Sequence, residues 1–391
     1  MLDSDRSVVN GWVRRDLAGT GRQVSVAQRR RPGSRRVTQS DVARAANVST
    51  AIVSTVINGK SDAIRVSEQT RERVWQAVRD LHYTPNIAAQ SLAGGRNRII
   101  GAFTYQRMFP WESRDFYYEF LLGIEEEAEA VAHHLLLFTG AKNESGERSI
   151  FSRDANLLRL ADGAILVGGR VDSEELAKLS ADGYPFVMIG RHDDVGPQVS
   201  WVAADYTAGT DAVVEELYGL GHRRLLYVAS GRSLETLAER RAGFAAACAR
   251  HRLGPKRARM VAFGAANPDL PRVPVAAGEA AVLAAAREAG ATAVIAESSY
   301  VAHRVYETAR AQGVGVPGEL SVVGLGDHGD RENVLSPDPA LTLLRTPSRE
   351  IGAAAVRMLL RLLDAPDGGP EQEFIACELT AGRTVGRPSA V

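Results

Sequence analysis

Apolar residues recur at helical spacing in three short segments between residues 37 and 83, and each segment begins at a residue suited to cap a helix. Thr38 to Asp41 forms a capping-box pattern, which predicts a first helix ending at Ala46. Ser49 predicts the start of a second helix, and Ser67 the start of a third. Two short helices joined by a tight turn are typical of a helix-turn-helix unit, whose second helix can enter the major groove of DNA. The side chains predicted to close its small core are Val42, Ala45, Val48, Val53, Val56 and Val74.

From residue 99 the pattern changes to short apolar runs that alternate with longer amphipathic stretches. The runs predicted as strands begin at Ile99, Leu135, Gly163, Phe186, Leu225, Ala293 and Leu320, and the stretches predicted as helices begin at Phe116, Tyr206, Ala238 and Tyr300. This alternation is typical of α/β units with a parallel sheet, and the length allows two doubly wound lobes. Ligands of such lobes bind at the carboxyl ends of the strands, which predicts a binding cleft between the lobes.

The predicted organisation divides the 391 residues into five parts. They are a basic disordered arm at 1–36, a helix-turn-helix domain at 37–83, a hinge helix and linker at 84–98, a first lobe at 99–203 with about 347–365, and a second lobe at 204–346 with about 370–387.

Charge is divided unevenly along a chain whose formal net charge is zero. The part up to Arg98 holds seventeen basic against eight acidic residues, so the remainder carries the opposite excess. A basic head on an acidic body favours a head that binds a polyanion. The arm alone has nine arginines, which would either add non-specific affinity for phosphates or belong to an unstructured leader.

Composition and termini favour a globular protein of the cytoplasm. Hydrophobic residues make up 45% and charged residues 24% of the chain, and no apolar run is long enough for a membrane span or a secretory signal. The two cysteines, Cys248 and Cys377, are too few for a disulfide framework or a structural zinc site, and we expect buried thiols. The sequence suggests neither a metal nor a cofactor.

Several motifs resemble the lactose/galactose-repressor family of bacterial transcription regulators. In the head these are Val37 to Ala43, Val48 to Asn58, Tyr83-Thr84-Pro85-Asn86 and Ser91-Leu92-Ala93. In the body they are Gly221 to Arg224, Arg240 to Phe244, Val316-Pro317, Ser321 to Gly324, and Ala340 to Pro347. The resemblance covers residues 37 to about 387 and implies a helix-turn-helix domain joined to a two-lobed, periplasmic-binding-protein-like effector domain.

The resemblance implies which residues of the head contact DNA. Thr50, Ala51 and Thr55 would reach base edges from the second helix, and Ser49, Ser54 and Asn58 would contact phosphates. These side chains are short, and none of them makes the bidentate contact of arginine with guanine. The other positions that the resemblance assigns to DNA are Thr38, Tyr83, Asn86, Ala89 and Leu92.

Within the stretch that resembles the hinge helix, Leu92 would wedge into the minor groove beside the same residue of a second copy. The resemblance therefore implies a homodimer on a palindromic operator. Because no leucine heptad follows Arg383, we expect a dimer rather than a tetramer.

In the body, the resemblance implies a small-molecule effector, a sugar or a related metabolite. Arg240 would grip the effector through its guanidinium, Phe116 and Tyr117 would cover it, and Arg191 would face it from a strand end. The remaining candidates are Ser298 and Asp327. Two departures from the family pattern put an ordinary sugar in doubt: Ser298-Ser299 replaces Asn-Asp, and Gly326 replaces the first of two aspartates.

Two alternatives stay open on the residues alone. Gly324 to Gly329 matches the GxGxxG pattern of a nicotinamide-dependent oxidoreductase, but the sequence that follows predicts a loop rather than the required helix. A two-lobed solute-binding protein would lack the helix-turn-helix head. The sequence contains no catalytic constellation that we recognise, so we expect a protein that is not an enzyme.

Overall fold

The computed structural model describes residues 37–57, 66–84, 96–105, 114–139, 142, 146, 148–152, 155–168, 171–192, 196–230, 235–263, 270–273, 278–326 and 341–389. These residues fall into two compact units, divided between residues 87 and 88. None of the described helices is long and apolar enough to cross a membrane.

The first unit contains three helices, α1 (Gln39–Ala46), α2 (Thr50–Ile57) and α3 (Glu68–Asp80). The predicted capping box at the start of α1 is confirmed. The Thr38 hydroxyl accepts from the Asp41 N–H, and the Asp41 carboxylate accepts from the Thr38 N–H. The predicted cap of α3 is confirmed as well, since the Ser67 hydroxyl accepts from the Thr70 N–H. Asn47, the C-cap of α1, adopts the left-handed conformation, which ends the helix and begins the tight turn into α2.

The core of this unit is built from small apolar side chains of all three helices. Its buried members are Val42, Ala43, Ala46, Val53, Val56, Val74 and Ala77, and Val48 packs against them. The prediction of Ala45 was wrong: it is exposed, and Ala43 and Ala46 occupy the buried face of α1 instead. Positions 42, 43 and 46 lie on one side of a helix of 3.6 residues per turn, whereas position 45 lies on the other.

The second unit consists of strands and helices that alternate along most of its length. Its strands are β1 (Ile99–Phe103), β2 (His134–Phe138), β3 (Phe151–Ser152), β4 (Ala155–Asn156), β5 (Gly163–Val167), β6 (Phe186–Ile189), β7 (Trp201–Asp205), β8 (Leu225–Ser230), β9 (Ala258–Phe263), β10 (Arg272–Val273), β11 (Ala293–Ala296), β12 (Ser321–Leu325), β13 (Thr342–Arg345), β14 (Gln372–Ala376) and β15 (Glu378–Thr380). Its helices are α4 (Arg114–Ala130), α5 (Ser173–Ala181), α6 (Tyr206–Gly219), α7 (Glu235–Arg250), α8 (Gly278–Ala289), α9 (Ser299–Ala311) and α10 (Ser348–Asp364).

The strands form two main sheets, one for each lobe. The first sheet has the order β14-β7-β6-β5-β1-β2 and the second β10-β9-β8-β11-β12-β13-β15. Among the described strand pairs of these two sheets, β13 with β15 is antiparallel and the others are parallel. The inner strands β5, β6, β11 and β12 are buried and rich in Val, Ile, Leu and Ala because helices cover both faces of a doubly wound sheet. The predicted α/β class with doubly wound parallel sheets is therefore confirmed.

One strand lies in a different lobe from the one expected. Residues from about 370 were assigned to the second lobe, but β14 pairs in parallel with β7 of the first sheet, Gln372 beside Trp201. The alternation of half-exposed and exposed residues along β14 fits an edge strand, and Phe374 of this strand packs edge-to-face on Trp201. The chain returns to the second lobe only at β15.

The described chain passes between the lobes at three points. It crosses from β7 into α6, from β13 into α10, and from β14 into β15. Cys377, in the last crossing, packs against the cores of both lobes. Tyr206, in the first crossing, is buried, and its hydroxyl lies 3.5 Å from the hydroxyl of Thr346 in the second crossing. The crossings are thus linked to one another beside the ends of both sheets.

Candidate functional site

The α2 helix presents a short polar face on the surface of the first unit. Thr50 and Ala51 are exposed, and Ser54 and Thr55 are half-buried. The Thr55 hydroxyl donates to the Ala51 carbonyl at 2.9 Å, so its remaining contacts are those of an acceptor oxygen and a methyl group. The opposite face of α2 holds Val53 and Val56 in the core. This burial fixes which side of the helix can meet a base edge.

Two further candidates for DNA contact act as helix caps in the structure. The Ser49 hydroxyl accepts from the Ile52 N–H at 3.3 Å, and the Thr38 hydroxyl donates to the Asp41 carboxylate at 2.8 Å. Both residues precede helices whose first N–H groups favour an anion. Tyr83 packs against the core of the unit and is half-buried.

Several predicted contacts lie outside the described residues. They are Asn58, Asn86, Ala89, Leu92, Asp327 and the basic arm at 1–36, together with the side chain of Phe116.

In the second unit, Arg240 lies at the carboxyl ends of the central strands of the second sheet. Its side chain is 5% exposed, and one terminal nitrogen donates to the Glu297 carbonyl, directly after β11, at 3.1 Å. Its guanidinium lies over the ring of Tyr206, 4.4 Å from the ring centre. Gly326 follows β12 with φ of 85°, and a Cβ there would lie 3.1 Å from Nη2 of Arg240. This position is the one at which doubly wound sheets bind ligands.

A buried carboxylate stands beside Arg240. Glu297 is 2% exposed and accepts from Arg241 through both carboxylate oxygens, at 2.6 and 3.1 Å. The Tyr227 hydroxyl donates to the same carboxylate at 3.0 Å. Burial and the negative charge of Glu297 raise the pKa of Tyr227 well above its usual value, so this tyrosine stays neutral. The hydrogen bonds to Glu297 raise the pKa of Arg241 in turn.

The first lobe contributes groups from the ends of its own strands. The Thr104 hydroxyl, after β1, lies 3.5 Å from the Tyr117 hydroxyl. Gly168, after β5, places its carbonyl 3.3 Å from the His192 ring. Tyr117 is buried in the core of this lobe, so only its hydroxyl reaches the strand ends. Burial raises the pKa of Tyr117, which keeps the hydroxyl protonated.

One ion pair joins the two lobes beside this region. Arg191 follows β6 of the first lobe and lies 3.4 Å from the carboxylate of Glu239 on α7 of the second lobe. Arg191 is 43% exposed, so the pair contributes about 0–1 kcal/mol to stability. Its position, rather than its strength, makes it a contact that depends on how far the lobes are closed.

The turn from β11 into α9 carries two serines that the sequence had singled out. Ser298 is the N-cap of α9, but its side chain makes no capping hydrogen bond. Ser299 is 6% exposed, and its hydroxyl has no hydrogen-bond partner among the described residues. The Cα of Ser299 lies 3.1 Å from the place that a Cβ on Gly324 would occupy. The two serines therefore lie at the same strand ends as Arg240.

The structure thus brings Arg240, Ser298 and Ser299 to one place and puts Arg191 at its edge. The sequence had not singled out Glu297, Arg241 as its partner, Tyr206 or the first-lobe groups Thr104 and His192. A signal was present, since Thr104 and Glu297 each directly follow a buried strand.

A helix-turn-helix head joined to two doubly wound lobes with three crossings defines the class of regulators in which a ligand-binding fold carries a DNA-binding domain. Comparison with known sequences agrees. The family model described as bacterial regulatory proteins, lacI family, matches residues 38–86, and the periplasmic binding protein-like domain matches residues 214–385.

Two relatives match over most of their lengths. The HTH-type transcriptional regulator GalR of Salmonella typhimurium (strain SL1344) is 30% identical over 327 residues, covering 83% of this chain and 89% of the relative. Catabolite control protein A of Priestia megaterium is 28% identical over 331 residues, covering 84% and 93%. The chain belongs to the lacI family of bacterial regulatory proteins.

A solved structure agrees with this fold. The lac repressor dimer bound to operator and the anti-inducer ONPF has a TM-score of 0.63 at 23% identity, covering 90% of this chain and 99% of that chain. The chain is accordingly a DNA-binding transcription regulator and not an enzyme, which settles the question that the GxGxxG pattern had left open.

Proposed function

We propose that this regulator is a repressor of the cytoplasm that binds a palindromic operator as a homodimer, and that a small molecule in the cleft between the lobes controls its affinity for DNA. Each copy would read one half-site with the exposed face of α2. Ligand binding would change the closure of the lobes and so the spacing of the two heads.

The observation that carries the DNA-binding part of the proposal is the arrangement of α2. A helix of eight residues is held by Val53 and Val56 against a capped scaffold, and its opposite face exposes Thr50 and Ala51. A threonine offers a hydroxyl and a methyl group, and an alanine offers a methyl group, all of which can contact base edges in the major groove. The excess of basic residues before Arg98 supplies the affinity for phosphates.

The control by a small molecule is supported by the cluster at the strand ends. Arg240, Glu297 and the two serines lie on the second lobe, the Thr104 and Tyr117 hydroxyls on the first, and Tyr206 at a crossing between them. The lac repressor dimer of the solved structure holds an anti-inducer together with its operator. By analogy, the effector here would contact groups of both lobes, and its binding free energy would bias their closure.

The test is a selection of DNA fragments from a random library by the purified full-length chain at about 0.15 M salt, where non-specific phosphate binding is weak. We expect one short palindrome to be enriched, and sedimentation of the complex to give two chains on each site. Enrichment of a site without two-fold symmetry, or one chain on each site, would contradict the homodimer. Binding without any sequence preference would contradict the proposed operator.

A further inference from the structure

We propose that the effector is an anionic metabolite, and that Arg240 and the start of α9 bind its carboxylate or phosphate group. This inference rests on the proposed control by a small molecule in the cleft, and it names the chemical class of that molecule.

The first observation is a buried positive charge with an unused hydrogen-bonding edge. Arg240 is 5% exposed, and Nη1 donates to the Glu297 carbonyl. Its Nε has no hydrogen-bond partner among the described residues. Nε and Nη2 form the side of a guanidinium that binds two oxygens of one anion in parallel. A buried charge without a counter-ion is costly, so an anionic ligand on this edge would be strongly favoured.

The neighbouring carboxylate is already engaged and does not neutralise Arg240. Both oxygens of Glu297 accept from Arg241, and one of them also accepts from the Tyr227 hydroxyl. Among the described residues, Glu297 forms an ion pair with Arg241, and no carboxylate oxygen forms an ion pair within 4.0 Å of the guanidinium of Arg240. Among the described residues, two guanidinium groups thus share one carboxylate at these strand ends, which leaves an excess positive charge there.

The second, independent observation is the start of α9. This helix of 13 residues has an N-cap, Ser298, whose side chain makes no capping hydrogen bond. The first N–H groups of a helix have no partner within the helix and favour an anion. The buried Ser299 hydroxyl adds a further donor that is unpaired among the described residues. The carbonyl that binds Arg240 belongs to Glu297, the residue before this N-cap, so both sets of donors meet at one turn.

Gly326 lies beside Nη2 of Arg240 without a side chain that would occupy this place. A Cβ at this position would lie 3.1 Å from Nη2 of Arg240, and φ of 85° disfavours any residue with a side chain. Among the described residues, the groups left without a partner here are mainly donors: the Nε of Arg240, the first N–H groups of α9 and the Ser299 hydroxyl, which can also accept. A neutral polyol needs acceptors for its hydroxyl hydrogens, whereas an oxyanion needs donors only.

The experiment compares matched probes that differ at one carbon. D-glucose, D-glucuronate and D-glucose 6-phosphate form one set, D-galactose, D-galacturonate and D-galactose 6-phosphate a second, and inorganic phosphate is the minimal anion. Binding to the full-length chain is measured by titration calorimetry at constant ionic strength. We expect at least one uronate or sugar phosphate to bind at least tenfold more tightly than its neutral sugar. The comparison of the uronates with the sugar phosphates then identifies whether a carboxylate or a phosphate is preferred. Tighter binding of the neutral sugars, or no binding by any anion, would overturn the proposal.

Two variants test whether the binding uses this site. R240Q removes the positive charge and should lower the affinity for the anion at least tenfold. S298D places a carboxylate at the N-cap of α9, where aspartate is a good cap, so it should raise the unfolding temperature. Because this carboxylate repels an anion, it should also lower the affinity for the anion at least tenfold. The matched control is R304Q, which removes the same charge from the exposed side of α9, beside Glu279, and should change the affinity less than twofold. Unchanged affinity in both R240Q and S298D would remove the site.

The DNA selection separates this inference from the proposed function, because it is carried out without any probe. An enriched palindrome together with no anion binding would refute the anionic effector and leave the operator-binding regulator intact. Anion binding that depends on Arg240 without an enriched site would refute the operator and leave the anion site intact.

Discussion

His222 holds the C-terminal segment against the second sheet. It is fully buried, and its Nε2 lies 2.9 Å from the Gly386 carbonyl, which can only accept. Nε2 therefore carries the proton, and Nδ1 accepts from the Thr292 hydroxyl at 2.8 Å. A neutral imidazole satisfies both partners at once. Burial, the largest influence, lowers the pKa of His222 and keeps it neutral.

The lowered pKa predicts that acid destabilises the chain through this residue. Below the ordinary histidine pKa of about 6.5, His222 binds a proton in the unfolded chain but stays neutral in the folded chain until the pH is lower. The contribution of His222 is therefore complete above about pH 6.5 and falls as the pH decreases below it. Urea unfolding between pH 5 and 8 should show a shallower acid loss in H222Q than in the wild type, with a cost at neutral pH of about 1–3 kcal/mol. H134Q, at an exposed residue, should keep the wild-type profile.

At the same scale, the sequence identified only part of the effector site. Arg240 was recognisable from its motif, and the structure does bring it to the strand ends beside Ser298 and Ser299. The residues around Arg240 were not recognisable from the sequence, because the pairing of Arg241 with Glu297 spans 56 residues and depends on β8 lying next to β11. Local spacing carries no information on such a contact, whereas the caps of α1 and α3 are local and were predicted correctly.

Two helices of the first lobe, α4 and α10, cross with almost no space between their backbones. A Cβ on Gly123 of α4 would lie 1.9 Å from the Arg349 carbonyl oxygen, and one on Gly352 would lie 2.3 Å from the Phe120 carbonyl oxygen. Ion pairs of Arg349 with Glu126 and of Arg357 with Glu127 flank the crossing. Because α10 follows a crossing from the second lobe, this contact anchors that crossing.

We expect G123A to destabilise the second unit by at least about 2 kcal/mol, because the added methyl meets backbone that cannot rotate away. The control is G219A, at the last residue of α6, where a Cβ would meet nothing within 4 Å. That variant should be neutral or stabilising by up to about 1 kcal/mol. Calorimetric melting of both variants checks the difference, and equal melting temperatures would contradict the described crossing.

The order of the elements was largely predictable, but one assignment to a lobe was not. Runs such as Gly163–Val167 and Phe186–Ile189 are short, apolar and bounded by polar residues, and they form strands at those positions. β14 is different, because its residues alternate as an exposed edge strand of either lobe would. Only its pairing with β7 places it in the first sheet, and a pairing across about 170 residues leaves no local trace in the sequence.

On the scale of the whole molecule, the two units have separate hydrophobic cores. The core of the first unit contains residues from 42 to 83, and the clusters of the second unit begin at Ile100. The first core is also small, and small domains bury too little apolar area to be very stable. The head should therefore unfold at a lower temperature than the body.

V53A tests this separation. Val53 is fully buried in the first core, and the loss of two methyl groups should cost about 1–3 kcal/mol. Calorimetry of the full-length chain should show the lower transition shifted further down and the upper one unchanged. A single transition that moves as a whole would mean that the two units unfold together.

The most direct test of the central claim, that the exposed face of α2 reads the operator, is the affinity of T50A for the selected palindrome and for a scrambled duplex. Loss of the hydroxyl should weaken operator binding by about 1 kcal/mol, while binding to the scrambled duplex stays the same. Q69A, at an exposed residue of α3, should bind both duplexes as the wild type does. Equal weakening of T50A on both duplexes, or no weakening on the operator, would contradict the account.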